Sequence, residues 1–203
     1  MHAQMPVRAG ILTVMPKKPP TVTQADTIAA LLERSKRADV PIRKTFLQQG
    51  KGKVRTPGPL APLVSHHDER ALDLYLLAHA AASADPFDVV LPATTWARAL
   101  GLSASASARS AVSKTFRRLE SLDLVSRDRA GSRSRVTLLD EGGHGDPYLH
   151  PATNRERYLK LPHAYWSDDW HLRLRLPGKT MLLIALSLDD DFPLPIARPA
   201  IGS

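Results

Sequence analysis

The sequence contains no cysteine among its 203 residues, which excludes disulfide bonds, thiolate zinc sites and cysteine nucleophiles. It also lacks a long apolar run, because the longest one, residues 181–186, is far shorter than the roughly 20 residues that cross a bilayer. The proline-interrupted N-terminus has no continuous apolar region of the kind that a signal peptide requires. We therefore expect a cytoplasmic protein with no membrane segment.

Catalytic motifs are missing as well. The sequence has no glycine-rich phosphate loop and no nucleophile elbow. Histidine and aspartate stand together at residues 66–68, but no further histidine and aspartate occur after them in a supporting context. The spacing of His144 and His150 suits no regular metal site. We expect neither an enzyme nor a bound metal or cofactor.

Positive charge is present in excess and is unevenly distributed. The chain has 28 lysines and arginines against 20 aspartates and glutamates, a net charge of +8. Residues 1–60 contain eleven basic and three acidic residues, and residues 104–136 contain eight basic and three acidic residues. Two local positive fields of this kind favour a polyanionic partner, and nucleic acid is the leading candidate.

Composition distinguishes the chain before residue 65 from the chain after it. Residues 1–64 are basic and rich in proline and glycine, which predicts a largely disordered arm. The arm contains one amphipathic segment at about residues 23–38, with Thr23 as its cap and Pro41 beyond its end. We expect this segment to form a short helix.

Residues 65–141 predict the order helix, short strand, helix, helix, strand, turn, strand. The first helix has an apolar stripe through Leu72 and Leu76. The short strand that follows it ends at Pro92, which confines that strand to a sheet edge. Gly101 ends the second helix. The third helix has apolar residues at steps of three and four, namely Ala108, Val112, Thr115, Leu119 and Leu122. Its other face is basic.

This order, together with the stretch AVSKTFRRLESLDLVSRDR, resembles the winged helix-turn-helix family and, within it, the multiple-antibiotic-resistance-regulator type. The resemblance implies an α+β fold, mainly α with a small β-wing, that binds double-stranded DNA. Two departures stand out. Asp123 occupies the turn where family members usually have glycine, and no long dimerisation helices flank the module.

A helix fits the major groove of DNA, where small and basic residues near its N-terminus reach base edges, while later arginines contact phosphates. The candidates for base contacts are Ser107, Arg109, Ser110, Ser113 and Lys114, and those for phosphate contacts are Arg117 and Arg118. Around Gly131, the wing candidates are Arg127, Arg129, Arg133 and Arg135. The alternative is an amphipathic helix whose basic face is merely solvated, followed by a solvated hairpin.

The remaining chain predicts a loop at residues 142–157 and then an aromatic and Leu-rich segment at residues 158–203. That segment resembles the start of a second winged helix in plasmid replication initiators, but no complete second module is present after it. The other interpretation is that the apolar helix at residues 177–188 packs on the first domain or pairs with a second copy or a partner chain.

These patterns lead to two hypotheses about function. The first is double-stranded DNA binding by a transcription regulator or a replication-initiator-like protein. The second is a non-enzymatic protein-interaction module that uses the winged helix and the apolar C-terminal helix, with the arginines incidental.

Overall fold

The computed structural model describes residues 21–188 apart from residues 36, 53, 132 and 154. Over these residues the chain forms eight α-helices, a single 3₁₀ turn at Lys44–Phe46 and seven strands. The helices are α1 (Gln24–Ser35), α2 (Leu60–Ser65), α3 (Glu69–Ala81), α4 (Ala93–Ala99), α5 (Ala106–Glu120), α6 (Ala164–Ser167), α7 (Trp170–Arg173) and α8 (Leu176–Ser187). The strands are β1 (Asp39–Arg43), β2 (Gln48–Lys51), β3 (Val54–Pro57), β4 (Asp88–Leu91), β5 (Val125–Ala130), β6 (Arg133–Leu138) and β7 (Tyr158–Pro162). The predicted α+β class is confirmed.

Elements α3, β4, α4, α5, β5 and β6 occur in the predicted order along the chain. The three strands form an antiparallel sheet in the order β4-β6-β5, so β4 lies at an edge, where Pro92 after it costs no ladder hydrogen bond. Gly101 ends α4 with a φ of +68°, and Asp123 turns the chain from α5 into β5 with a φ of 51°. Asp123 thus adopts a left-handed conformation at this turn without being glycine.

Helix α5 is held by the apolar stripe that its sequence predicts. Ala108, Val112, Thr115 and Leu119 are buried, and Phe116 joins them, with its ring 5.5 Å from that of Trp96 in α4 in an edge-to-face contact. Ser105 caps the helix, because its hydroxyl accepts a hydrogen bond from the Ala108 backbone N–H at 3.1 Å. This packing leaves the basic side of α5 facing outward.

The prediction of a largely disordered arm is wrong for residues 39–52 and 54–64. Strand β1 pairs antiparallel with β7, β2 pairs with β3, and Val40, Ile42 and Phe46 are buried in the core. In the sequence, Pro41 indicates the interruption of a regular element, but in the structure it lies within β1. Because β1 pairs with a single neighbour, the N–H group that proline lacks is tolerated there. Helix α1 falls within the predicted 23–38. Residues 1–20, for which disorder is also predicted, lie outside the described residues.

The C-terminal helix packs on the rest of the chain. Leu176 and Leu183 of α8 belong to the same hydrophobic core as Ile28 of α1, and α8 contacts β7 and α2. This core crosses the boundaries predicted at residues 64 and 158. Residues 189–203, the end of the predicted second segment, lie outside the described residues. Within the described part of the chain, no helix has the length and apolar character needed to span a membrane.

Candidate nucleic-acid interface

The outer face of α5 carries most of the residues predicted to contact DNA. Its exposed members are Ser107, Arg109, Ser110, Lys114 and Arg117, and Ser113 is half-buried beside them. Between residues 21 and 188, excluding the four undescribed positions, no acidic side chain forms an ion pair with Arg109, Lys114 or Arg117. The first two turns contain small residues only, apart from Arg109, so another surface can approach the helix backbone closely there.

The serines at the start of α5 are linked to one another. Ser103 Oγ donates to Ser105 Oγ at 3.0 Å, and the hydroxyls of Ser105 and Ser107 lie 2.8 Å apart. Ser107 therefore participates in the helix cap, whereas Ser110 has an exposed side chain one turn further on. Of the two, Ser110 is the better placed to contact a ligand.

One groove lies between α5 and the start of α3. It has a volume of about 700 Å³ and is lined on the α5 side by Ser107, Ser110 and Lys114 and on the α3 side by His67 and Arg70. The sequence pattern did not predict His67 or Arg70 as interface residues. They lie about forty residues before α5, and nothing in their local pattern indicates that the fold brings them to its side.

Two acidic residues in this groove are paired with cations from elsewhere in the chain. Asp68 Oδ2 lies 2.8 Å from Arg118 Nε, and Glu69 Oε1 lies 2.9 Å from Lys179 Nζ. Desolvation by itself would raise the pKa of Glu69, but the hydrogen bond and the charge of Lys179 outweigh it, so the pKa is lowered. These pairs reduce the repulsion that a phosphate group entering the groove would meet.

A second groove, of about 470 Å³, lies between α5 and the β5–β6 hairpin. Its floor is apolar and consists of Trp96, Val112 and Phe116. Its rim is polar and basic, with Ser113 on α5 and Arg127, Arg129 and Arg133 on the hairpin. Helix α5 thus forms a ridge between two grooves that both carry basic side chains.

The four hairpin arginines divide into two pairs. Arg127 Nη2 lies 2.5 Å from Glu120 Oε2, and Arg135 Nε lies 3.0 Å from Asp88 Oδ2. Arg129 and Arg133 are exposed, and neither has an ion-pair partner among the described residues. They flank the turn at Gly131, whose φ of +62° is left-handed. The two arginines nearest the hairpin tip are therefore the two available to a ligand.

Arg118 points away from the exposed face of α5. Besides its ion pair with Asp68, its Nη2 lies 3.4 Å from the Pro62 carbonyl oxygen and 3.1 Å from His66 Nδ1. The side chain is 30% exposed and connects α5 to α2 and to the start of α3. This arrangement gives Arg118 a structural role, and its predicted phosphate contact requires these bonds to break.

No protein-family model, curated protein or solved structure matches the chain. Nor does any group of three or more histidine and acidic side chains in the described part of the chain come close enough together to hold a metal ion. Any inference about function therefore rests on the arrangement of the residues themselves.

Proposed function

We propose that the chain binds double-stranded DNA through a winged helix-turn-helix module over residues 65–141. In this proposal α5 is the recognition helix and the β5–β6 hairpin is the wing. The order of elements supports it, as does the three-stranded sheet in which β4 pairs with the last strand of the hairpin. The coarser α+β class is compatible with many functions, so the proposal rests on the surface and not on the fold.

The observation that carries the proposal is a cluster of exposed cations that have no carboxylate partner in the described part of the chain. Several buried or half-buried cations elsewhere in the described chain are paired with carboxylates, as at Arg43, Arg118 and Lys179. Five exposed cations on and beside α5 have no such partner among the described residues, namely Arg109, Lys114, Arg117, Arg129 and Arg133. Their concentration on one helix and on the tip of the adjacent hairpin gives a local positive field of the kind that attracts phosphate groups.

The dimensions of this surface suit a duplex. Helix α5 has 15 residues, a length of about 22 Å, and the major groove is about 12 Å wide, so one helix enters it lengthwise. The grooves on either side of α5 then face the two phosphate backbones that border the major groove. Arg109 and Ser110 are positioned for base edges, and Arg129 and Arg133 for one of the backbones.

The experiment is a titration with a mixed-sequence duplex of about 30 base pairs at several salt concentrations. The variant Arg109→Ala/Lys114→Ala/Arg117→Ala should bind more weakly, and the slope of log K against log salt should fall by roughly 0.9 for each phosphate that is no longer neutralised. The matched control, Arg34→Ala/Lys160→Ala/Arg173→Ala, removes the same charge from exposed positions on α1, β7 and α7. Equal affinity of both triple variants, or equal binding of single strands, contradicts the proposal.

Selection of bound sequences from a random duplex pool then distinguishes the two roles that the proposal includes. A two-fold-symmetric site indicates a dimeric transcription regulator, and directly repeated sites indicate a replication-initiator-like protein. Arg109→Ala should change the selected sequence, whereas Arg133→Ala should weaken binding to all sequences alike.

The second candidate is a protein interaction through α8. The helix exposes Met181 at 61% and Ile184 at 37%, one turn apart on the same side, so the two side chains together form a small exposed apolar patch. The partner would be a second copy of the chain or another protein. Sedimentation of the wild type and of Met181→Glu/Ile184→Glu tests it: a shift to a smaller species in the variant supports self-association, and this result is independent of DNA binding.

A further inference from the structure

The groove between α3 and α5 is polar and has no large apolar side chain at its surface. Its volume is about 700 Å³, and its least exposed lining residues, Ala71 and Thr115, are small. None of the large apolar side chains that are exposed in the described part of the chain lines it. The centres of protein interfaces are enriched in aromatic residues and depleted in charge, so this groove does not suit a protein partner.

Arg70 is the exposed cation on the α3 side of the groove, and its own helix does not neutralise it. The two acidic residues within three positions of it in α3, Glu69 and Asp73, both bond to Lys179. Lys179 Nζ lies 2.9 Å from Glu69 Oε1 and 2.6 Å from Asp73 Oδ1. Across the described residues, no carboxylate forms an ion pair with Arg70. Its charge is therefore available to a ligand.

The start of α3 is held at a set position beside α5. Arg118 Nε of α5 donates to Asp68 Oδ2 at 2.8 Å, and the Asp68 backbone N–H donates to the Leu63 carbonyl at 2.8 Å. His67, directly before Asp68, has a left-handed backbone with a φ of 55°, and its exposed side chain lines the groove. These contacts fix the turn that leads into α3, three residues before the end of which Arg70 is not yet reached. Arg70 follows two residues after Asp68, in the first turn of α3.

The α5 side of the groove offers a second cation. Lys114 is exposed there, and Ser110, one turn before it, adds an exposed hydroxyl. Because the carboxylates of Asp68 and Glu69 are paired, the charges of the lining that remain unpaired are those of Arg70 and Lys114. A phosphate group carries several acceptor oxygens, so it can bond to donors on both sides at once. Sites of about 300–1,000 Å³ accept ligands much larger than one phosphate, so a sugar–phosphate segment can enter this groove.

We propose that this groove holds the phosphate backbone of one DNA strand between Arg70 and Lys114, so that the start of α3 is a second DNA-binding element beside α5. This inference rests on the proposed function, because it assumes that α5 lies in the major groove. The Arg70 contact adds affinity without sequence preference and fixes the position of α5 on the duplex.

The first test compares single variants on the mixed-sequence duplex. Arg70→Ala should bind more weakly than wild type, with a slope of log K against log salt that is shallower by roughly 0.9 for one phosphate contact. Arg70→Lys, which keeps the charge, should keep the wild-type slope. So should Lys160→Ala, which removes one charge from an exposed position on β7. Equal slopes for Arg70→Ala and Lys160→Ala overturn the inference, and a circular dichroism spectrum of each variant confirms that it is folded.

The second test uses the absence of cysteine, since a photocrosslinker attaches at one introduced thiol alone. Arg70→Cys on α3 should crosslink to the duplex, as should Ser110→Cys on α5, and Glu33→Cys on α1 should remain at background. If Ser110→Cys crosslinks and Arg70→Cys does not, the inference about α3 fails while the proposed function stands. If both remain at background, the proposed function fails too. Crosslinking of Arg70→Cys to a second protein chain instead of DNA also overturns the inference.

Discussion

Arg127 donates from Nη2 to Glu120 Oε2 at 2.5 Å, and this ion pair ties the first strand of the β5–β6 hairpin to the last turn of α5. The Arg127 guanidinium also lies over the Phe116 ring, 5.4 Å from its centre. Both contacts hold the hairpin at a set position beside α5. They also withdraw one of the four hairpin arginines from any ligand.

Replacing Glu120 should therefore strengthen DNA binding. In Glu120→Gln the Arg127 charge is no longer paired, so we expect affinity to rise several-fold and the salt slope to steepen by roughly 0.9. The half-exposed pair contributes about 1 kcal/mol or less to folding, so the variant should remain stable. Glu33→Gln on α1 makes the same change of charge and serves as the control. An equal rise in both variants would show that net charge alone is responsible.

Removal of the hairpin-tip arginines should weaken binding without changing specificity. Arg129→Ala/Arg133→Ala should flatten the salt slope by roughly 1.8 and lower the affinity for all duplexes by a similar factor. Arg135→Ala should have less effect, because Arg135 is paired with Asp88 at 3.0 Å. Anisotropy titrations on several duplex sequences measure both quantities. A larger effect at Arg135 than at the tip would contradict the assignment.

Lys179 should be essential for folding, since it is 1% exposed and its Nζ lies 2.6 Å from Asp73 Oδ1 and 2.9 Å from Glu69 Oε1. Burial raises the pKa of Asp73 to about 6, and the charge of Lys179 opposes that rise. Lys179→Met leaves two carboxylates without their cation, so unfolding in urea should show a destabilisation of about 3–5 kcal/mol. Lys179→Met/Asp73→Leu should recover part of it. Lys160→Met, at an exposed position, should change stability by less than about 0.5 kcal/mol.

His79 should make the protein less stable in acid. Complete burial, with the charges of Arg43 and Arg37 adding to it, lowers the pKa of His79 to about 3, so the ring is neutral in the fold while an unfolded histidine titrates near 6.5. The unfolded state then binds the extra proton between these values, and stability falls as the pH drops below 6.5, by up to about 1.4 kcal/mol per pH unit.

His79→Phe should remove this dependence. Its ring can occupy the space between Tyr75 and Tyr148, whose rings lie 4.6 and 5.3 Å from that of His79. We expect the difference in unfolding free energy between variant and wild type to grow in favour of the variant from about pH 6.5 to pH 4. Urea unfolding at a series of pH values gives this difference. A difference that is constant over the range would contradict the assignment to His79.

Local patterns were sufficient for the elements whose signals lie within a few residues. The steps of three and four from Ala108 to Leu119 in α5 and the edge position of β4 before Pro92 both agree with the structure. The pattern failed for β1, because β1 and β7 are more than a hundred residues apart and Pro41 obscures the alternation of Val40 and Ile42. Strand pairing over such a separation depends on the whole fold.

The candidate site shows the same division. Periodicity alone placed Arg109, Lys114 and Arg117 on the outer face of α5, since side chains three and four residues apart share a face. It provided no means of separating Arg129 and Arg133 from Arg127 and Arg135, because the distinction depends on Glu120 and Asp88. It also missed His67 and Arg70, because only the fold brings them to the side of α5.

Neighbouring residues alone specify the basic helix, the hairpin after it and the concentration of charge in both. The tertiary structure determines which cations remain without a carboxylate, which grooves border α5 and where β2 and β3 lie. Those features arise from pairs such as Arg118 with Asp68, fifty residues apart, and Gln49 with Gly142, ninety-three apart. Their contact results from the packing of the core between them, which no local pattern specifies.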